Sequence, residues 1–441
     1  MRLSDRAGRW FSVTNLAARV YIGYKAITLG EKRLGFTTVD ADLRRMRHHS
    51  WSAGRLYDLA VTHRGLLIKF GQIIGSRPDM VPDPYVDVLS RLQDQVPPRS
   101  FRTIKRAVER ELQRPLADVF AEFSETPIAS ASLAQVHRAV LKDGRIVAVK
   151  VQYPGIQDIV ENDLANIRFL LRVLSKFERN LDFTPLIEEI SHNVPLELDF
   201  INEGHNAELI ASNFAGRENI IVPKITWEYT TQRVLTMEYV DGIKITDVPA
   251  MQSAGIDPQE VSQLVSNTFC EMIYLHGMFH ADPHPGNLFV QPPEQAGDSP
   301  KLVLLDFGLC RKIDDKFRIG YSRLVEAMLT WNLAEMVQAF QDLGVKVKRP
   351  NDPSTYLEIG RSFMETSRPG RAYVDPDLVA EANQRVARAV RANPIVDIPR
   401  EMLLIMRVVG LLSGLGKHLD SRVDVANTIL PFARAAQEGA R

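Results

Sequence analysis

Apolar positions Leu56, Leu59 and Ala60, then Leu66, Leu67, Phe70, Ile73 and Ile74, recur at helical spacing and predict a helical stretch over roughly 55–92. The proline-marked run Arg77-Pro78-Asp79-Met80-Val81-Pro82 breaks it. A second helix is expected from Asp83 to Asp94, with Val96-Pro97-Pro98 as a linker and another helix over 101–113. Residues 127–152 and 220–240 are rich in valine and isoleucine and broken by turns such as Asp143-Gly144, which predicts strands. The stretch 156–212 between them has a helical pattern. From 257 onward the pattern is again mostly helical, with short strands at Leu288-Phe289-Val290 and Leu302-Val303-Leu304-Leu305. Helices, then a small β-rich segment, then a large helical segment make an α+β chain. No internal repeat is visible.

The 441 residues are 45% hydrophobic and 24% charged, enough for a large core without disulfides. Cys270 and Cys310 both lie in apolar runs, which predicts buried, reduced thiols and an intracellular, cytoplasmic setting. Lys plus Arg and Asp plus Glu both total 54, so net charge gives no sign of nucleic acid, and none is expected as a partner. Residues 1–55 nevertheless hold eleven Lys or Arg against four acids, interleaved with Trp10, Phe11, Tyr21 and Tyr24. That suits either a basic helix lying peripherally on the inner face of a membrane or a solvated arm packed through its aromatics. No signal peptide is expected. The nearest approach to a membrane-spanning run, Met402 to Gly416, is short and interrupted by Arg407.

Five segments, in chain order, are candidates to carry chemistry. Ala129-Ser130-Ala131-Ser132-Leu133-Ala134-Gln135-Val136 overlays G-x-G-x-x-G-x-V with alanine at every glycine position. Since alanine is costly in a left-handed conformation, by about 1–2 kcal/mol, a stiff and loosely wrapped phosphate loop is expected. Alone, the segment is equally a small-residue turn. Val147-Ala148-Val149-Lys150 resembles V-A-I-K, whose ammonium bridges the α and β phosphates, although an edge-strand lysine would look the same. Leu235 to Gly242, with Glu238 and Val240, resembles the hinge that bonds adenine through its backbone. His280-Ala281-Asp282-Pro283-His284-Pro285-Gly286-Asn287 has the H-x-D-x-x-x-x-N spacing, in which the aspartate orients the acceptor and the asparagine binds Mg2+. A zinc site on His276, His280, Asp282 and His284 is the rival reading there. Leu302 to Gly308 delivers Asp306 in a D-F-G after four aliphatic residues, where a carboxylate calls for a cation such as Mg2+.

Three further features make the chain resemble the UbiB/AarF-domain atypical kinases over about residues 55–320. These are Lys69-Phe70-Gly71-Gln72 (K-x-G-Q) followed by Ser76-Arg77 and Asp79, the alanine/serine loop running into Gln135-Val136-His137, and Glu197-Leu198-Asp199 followed by Glu203 and Asn206. The resemblance implies a two-lobed, protein-kinase-like fold with an N-terminal helical K-x-G-Q extension and extra helices in the small lobe. It implies a basic arm over 1–54, the extension over 55–125, a small lobe over 126–240 and a large lobe over 241–441. It further implies ATP and Mg2+ as cofactors, a nucleotide loop from Ile128 to Val136, and Glu203 as partner of Lys150. Lys69 would gate the pocket through Glu197 and Asp199, with Gln72 beside the phosphates and Asp199 and Glu203 four apart on one helix face. The expected activity is that of a kinase or ATPase supporting isoprenoid quinone (ubiquinone) or membrane lipid metabolism. Lipid or quinone-precursor ligands and quinone-biosynthesis enzymes would be its partners. No A-P-E follows the D-F-G, which weakens any claim to a protein substrate. A small-molecule phosphotransferase of the aminoglycoside or choline kinase sort, and a weakly catalytic nucleotide-binding scaffold, stand as alternatives.

Overall fold

The computed structural model describes residues 3–33, 37–75, 81–93, 97–177, 184–293, 295, 298–366 and 376–439. The chain forms two compact units: one runs to Gly204 and resumes at Lys224–Tyr239, the other takes His205–Pro223 and everything from Val240. The segments 1–54, 55–125 and 126–240 therefore share one unit, except for 205–223 and Val240, which belong to the second.

The first unit opens with α1 (Leu3–Arg33), α2 (Thr38–His63), α3 (Leu66–Gly75) and α4 (Asp83–Leu89). The helix expected over 55–92 is thus three elements. It breaks at Arg64 and Gly65, both in the left-handed region (φ 59° and 63°), where the Arg64 amide closes α2 on Ala60 O at 2.7 Å. The helix expected to reach Asp94 ends at Leu89 and tightens into a 3₁₀ turn, Ser90–Gln93. The loop residues Ser76, Arg77 and Asp79, and Val96 of the linker, lie outside the described residues. The basic segment is held by Tyr24, whose hydroxyl bonds His49 at 2.6 Å, and by a buried arginine. Arg9, 6% exposed, pairs with Asp163 and donates to Arg64 O at 2.7 Å, while Trp10 and Phe11, expected to do the packing, are 41% and 65% exposed.

After α5 (Phe101–Leu112) and α6 (Leu116–Val119) comes an antiparallel sheet in the order β1 (Phe120–Phe123), β3 (Ala134–Leu141), β4 (Ile146–Gln152), β6 (Val234–Glu238). The two-residue β2 (Ala129–Ser130) pairs with β3. Valines 147, 149 and 151 of β4 are buried in a core with Leu66, Leu67, Ile68, Ile104 and Ile190, joining sheet and helices. Inserted between β4 and β6 are α7 (Ile156–Phe177), α8 (Thr184–Leu196) and α9 (Phe200–Asn213).

The second unit holds a sheet in the order β5 (Ile220–Ile221), β10 (Lys301–Leu304), β9 (Leu288–Gln291), β7 (Ile243–Lys244), and a two-stranded ribbon of β8 (Met278–His280) with β11 (Cys310–Lys312). Helices α10 (Val248–Ser253), α11 (Pro258–Cys270), α12 (Asp315–Leu329), α13 (Leu333–Asp342), α14 (Ser354–Thr366), α15 (Pro376–Ala392), α16 (Arg400–His418) and α17 (Val425–Glu438) surround them. A smaller ribbon of β12 (Lys346–Val347) and β13 (Ile395–Asp397) completes the unit. Among the described residues no helix is long and apolar enough to cross a membrane. Cys270 and Cys310 are buried free thiols, and burial pushes Cys270 up to about 12, far from thiolate chemistry.

Candidate functional site

In the first unit, Lys150 sits in β4 opposite Val136 of β3 and Leu235 of β6. A central-strand lysine needs a reason to be there, since burying an ammonium unpaired is costly. Glu203, 2% exposed, supplies it: Lys150 Nζ donates to Oε1 at 2.7 Å and to Oε2 at 3.0 Å, and lies 5.2 Å from the centre of the Phe200 ring. Both contacts come from the first turn of α9. Asp199 is not on that helix face, as its four-residue spacing predicted. It stands one residue before α9, where Oδ1 accepts from the Asn202 amide at 3.1 Å and its carbonyl from the Glu203 amide at 3.0 Å. A short acid before a helix satisfies amides that lack intrahelical partners, and so it caps the helix that carries Glu203.

Lys69, on α3, pairs with Glu197 at 2.7 Å, both side chains mostly buried. Gln72 donates to Leu92 O at 2.9 Å, which ties α3 to the turn after α4. The loop from Ile128 to Val136 is a hairpin end: the Ile128 amide bonds Val136 O at 2.8 Å, and the Ala131 amide bonds Ala134 O at 2.8 Å. None of its residues has positive φ, so Ala129, Ala131 and Ala134 carry none of the strain expected of alanine in a glycine loop. Ser132 and Leu133 are buried, and the Ser130 hydroxyl is bonded to Tyr153 at 2.9 Å. Gln135 is 1% exposed and its side chain is engaged by neighbouring residues. It accepts from the Arg99 amide at 2.8 Å and donates to His137 at 2.8 Å, which leaves its backbone for the loop. Glu238 closes β6, its amide bonded to Lys224 O at 2.8 Å; Val240 is where the chain enters the second unit.

In the second unit, α11 runs on as a wide π turn, Glu271–His276, and Gly277 (φ 60°) reverses the chain into β8. His280 is fully buried: its Nδ1 accepts from the Asp282 amide at 3.2 Å and its Nε2 donates to Leu305 O at 3.1 Å. Both ring nitrogens are spent on backbone, which removes His280 from a zinc reading. The loop is further closed by the His284 amide on Asp282 O (2.7 Å), the Asn287 amide on His284 O (2.8 Å) and Asn287 Nδ2 on Asp282 O (3.3 Å). The Leu305 amide bonds Asn287 O at 2.9 Å, and the Ala281 amide bonds Leu309 O at 2.8 Å, so Asp282 and Asp306 stand on two loops laced together. Asn206 donates to Phe307 O at 3.0 Å, which gives the asparagine of the E-x-x-N segment a task the sequence did not define.

Asp306 itself has φ 61°, uncommon for a residue with a Cβ, and its Oδ1 accepts from the Gly308 amide at 3.3 Å. Such strain collects at functional positions. Among the described residues no group of three or more His, Cys, Asp or Glu could hold a metal. One carboxylate and one amide oxygen suit Mg2+, which keeps waters and takes its remaining ligands from substrate phosphates.

One side chain was missed. Arg407 of α16 places Nη2 3.4 Å from Asp282 Oδ1. From the sequence it registered only as the charge that interrupts an apolar run; nothing local links it to a loop 125 residues earlier.

Residues 91–340 match the ABC1 atypical kinase-like domain. AarF domain-containing protein kinase 1 of Gallus gallus is 33% identical over 424 residues, covering 95% of this chain and 80% of that protein. Its namesake from Xenopus laevis is 37% identical over 385 residues, covering 85% and 72%. A Dictyostelium discoideum relative named "Probable serine/threonine-protein kinase abkB" is 38% identical over 402 residues, covering 89% of this chain and 57% of that protein. Among solved structures, the complex of Rv3197 with erythromycin from Mycobacterium tuberculosis has a TM-score of 0.60 at 22% identity, covering 81% of this chain and 89% of that one. That likeness concerns the fold, and the fold is kinase-like.

Proposed function

The chain belongs to the ABC1 (AarF-domain) atypical kinase family, and on that premise we propose an ATP- and Mg2+-dependent kinase or ATPase that serves isoprenoid quinone (ubiquinone) or other membrane lipid metabolism. The observation that carries the reading is the buried Lys150–Glu203 pair, because a kinase-like site needs a fixed cation for the α and β phosphates. In this reading Asn287 and Asp306 hold Mg2+, which when bound neutralises charge on the phosphates. Asp282 orients the acceptor and takes its proton, the backbone of Ile128–Val136 covers the nucleotide, and Lys69 with Glu197 gates it.

A non-peptide acceptor is supported by the short path from Gly308 to α12, which starts at Asp315 and leaves no length for a peptide platform. Leu403, Met406 and Val409 stand exposed on α16, the helix that bears Arg407, and would suit an apolar acceptor. Peripheral membrane contact is supported by exposed Trp10, Phe11, Ile22, Val39, Leu43 and Met46 among the basic residues of α1 and α2.

The test is ATP turnover by the purified protein, with and without anionic liposomes and quinone head-group analogues. Turnover is expected to rise with one of these additions; none under any condition would sink the activity. Asp306→Asn should abolish the Mg2+-dependent rise in melting temperature given by nucleotide, and an undiminished rise would refute the metal assignment. Lys69→Ala should change turnover while the protein still folds, read by its circular dichroism spectrum.

A further inference from the structure

We propose that Arg407 is a positioning residue for the phosphoryl-transfer step, aiming the Asp282 carboxylate at the acceptor; this rests on the role just given to Asp282. The loop from Ala281 to Asn287 is fixed by its own backbone bonds and two prolines, but those bonds leave the Asp282 side chain free to rotate about its own bonds. Orientation of the carboxylate has to come from a side chain reaching it, and Arg407 does so. Arg407 is carried by α16, a helix anchored by its buried residues Met402, Ile405, Val408 and Leu415. The two side chains are 30% and 23% exposed, sheltered enough for charge to matter and open enough for a substrate to approach.

The 3.4 Å separation decides between two roles. A charge-assisted N–H···O bond at full strength is about 2.7–2.9 Å. At 3.4 Å the guanidinium aims the carboxylate without saturating it, so Oδ1 can still accept a shorter bond from a hydroxyl. In the step itself the acceptor oxygen forms a bond to the γ-phosphorus and the bond from that phosphorus to the β–γ bridging oxygen breaks. ADP leaves with the electron pair, and the hydroxyl proton passes to Asp282. Arg407 exchanges no proton; it keeps the carboxylate where the proton arrives. Misplacing a reacting group by about 1 Å can cost a hundredfold in rate.

The experiment compares wild type, Arg407→Ala and Arg407→Lys in ATP turnover, with Mg2+-nucleotide thermal shift as the check on folding and binding. Arg407→Ala should lower kcat about ten- to a hundredfold with KM for ATP within about twofold. Arg407→Lys should recover part of the loss, and millimolar guanidinium should restore activity to Arg407→Ala but not to Asp282→Asn. A rise in kcat for Arg407→Ala would mean that the contact is an inhibitory clamp and would overturn the proposal. So would an unchanged kcat, or a loss that neither lysine nor guanidinium repairs, which would mark Arg407 as purely structural. If wild type itself turns over no ATP, the proposed activity falls and this inference with it; a working wild type beside an indifferent Arg407→Ala sinks the inference alone.

Discussion

Replacing Glu203 by glutamine keeps the shape of the side chain and removes the charge that balances Lys150. The pair is well enclosed, with side-chain exposures of 12% for Lys150 and 2% for Glu203, so solvent screens it little. Breaking a buried ion pair by removing one partner costs about 3–5 kcal/mol, because the remaining charge is stranded. The first unit has about 220 residues, and for that size each kcal/mol shifts the melting temperature by about 2–4 °C. Glu203→Gln should therefore lower the first unfolding transition by roughly 6–20 °C, read by circular dichroism, and should erase the nucleotide-induced shift. The double variant Lys150→Met, Glu203→Leu should recover most of the lost stability, since apolar replacements of similar volume remove both charges together, yet it should still bind no nucleotide. A drop below about 2 °C in the single variant, or a double variant less stable than the single, would refute the view that the pair is buried and mutually dependent.

Other outcomes follow from the same geometry. At position 306, Asp306→Ala should melt below Asp306→Gly, because only the alanine keeps a Cβ at φ 61°, a difference of about 1–2 kcal/mol; the reverse order would deny the strain. His137 donates from Nδ1 to Ser124 O at 2.8 Å and accepts at Nε2 from Gln135, and burial holds it below its ordinary 6.5. A base with a depressed folded pKa adds stability that is present above 6.5 and is lost as pH falls through the folded value. Melting temperature should fall on acidification below that point, and less steeply in His137→Phe, whose ring fits beside Phe101 and Phe123; an identical slope in the two proteins would count against His137 as the source.

The parts legible in the sequence were those written in short windows. The strands and tight loops that carry Lys150, Asp282, Asn287 and Asp306 are each written in a run of about eight residues, and strand and loop geometry is local. The α+β order and the strands around 127–152 and 288–305 were legible for the same reason. The alanine loop misled, because the cost assigned to alanine presumed a backbone conformation that the hairpin does not adopt. The side-chain bond of Gln135 to the Arg99 amide, 36 residues away, left no mark in the loop pattern.

The tertiary structure alone decided which charges meet across long stretches of chain. Arg9 with Asp163 and Arg407 with Asp282 depend on how helices pack once their apolar faces are buried. A pattern of spacing fixes which face of an element is apolar. It does not fix which ion on a distant element will stand opposite, because that follows from the sum of many packing contacts, none of them local.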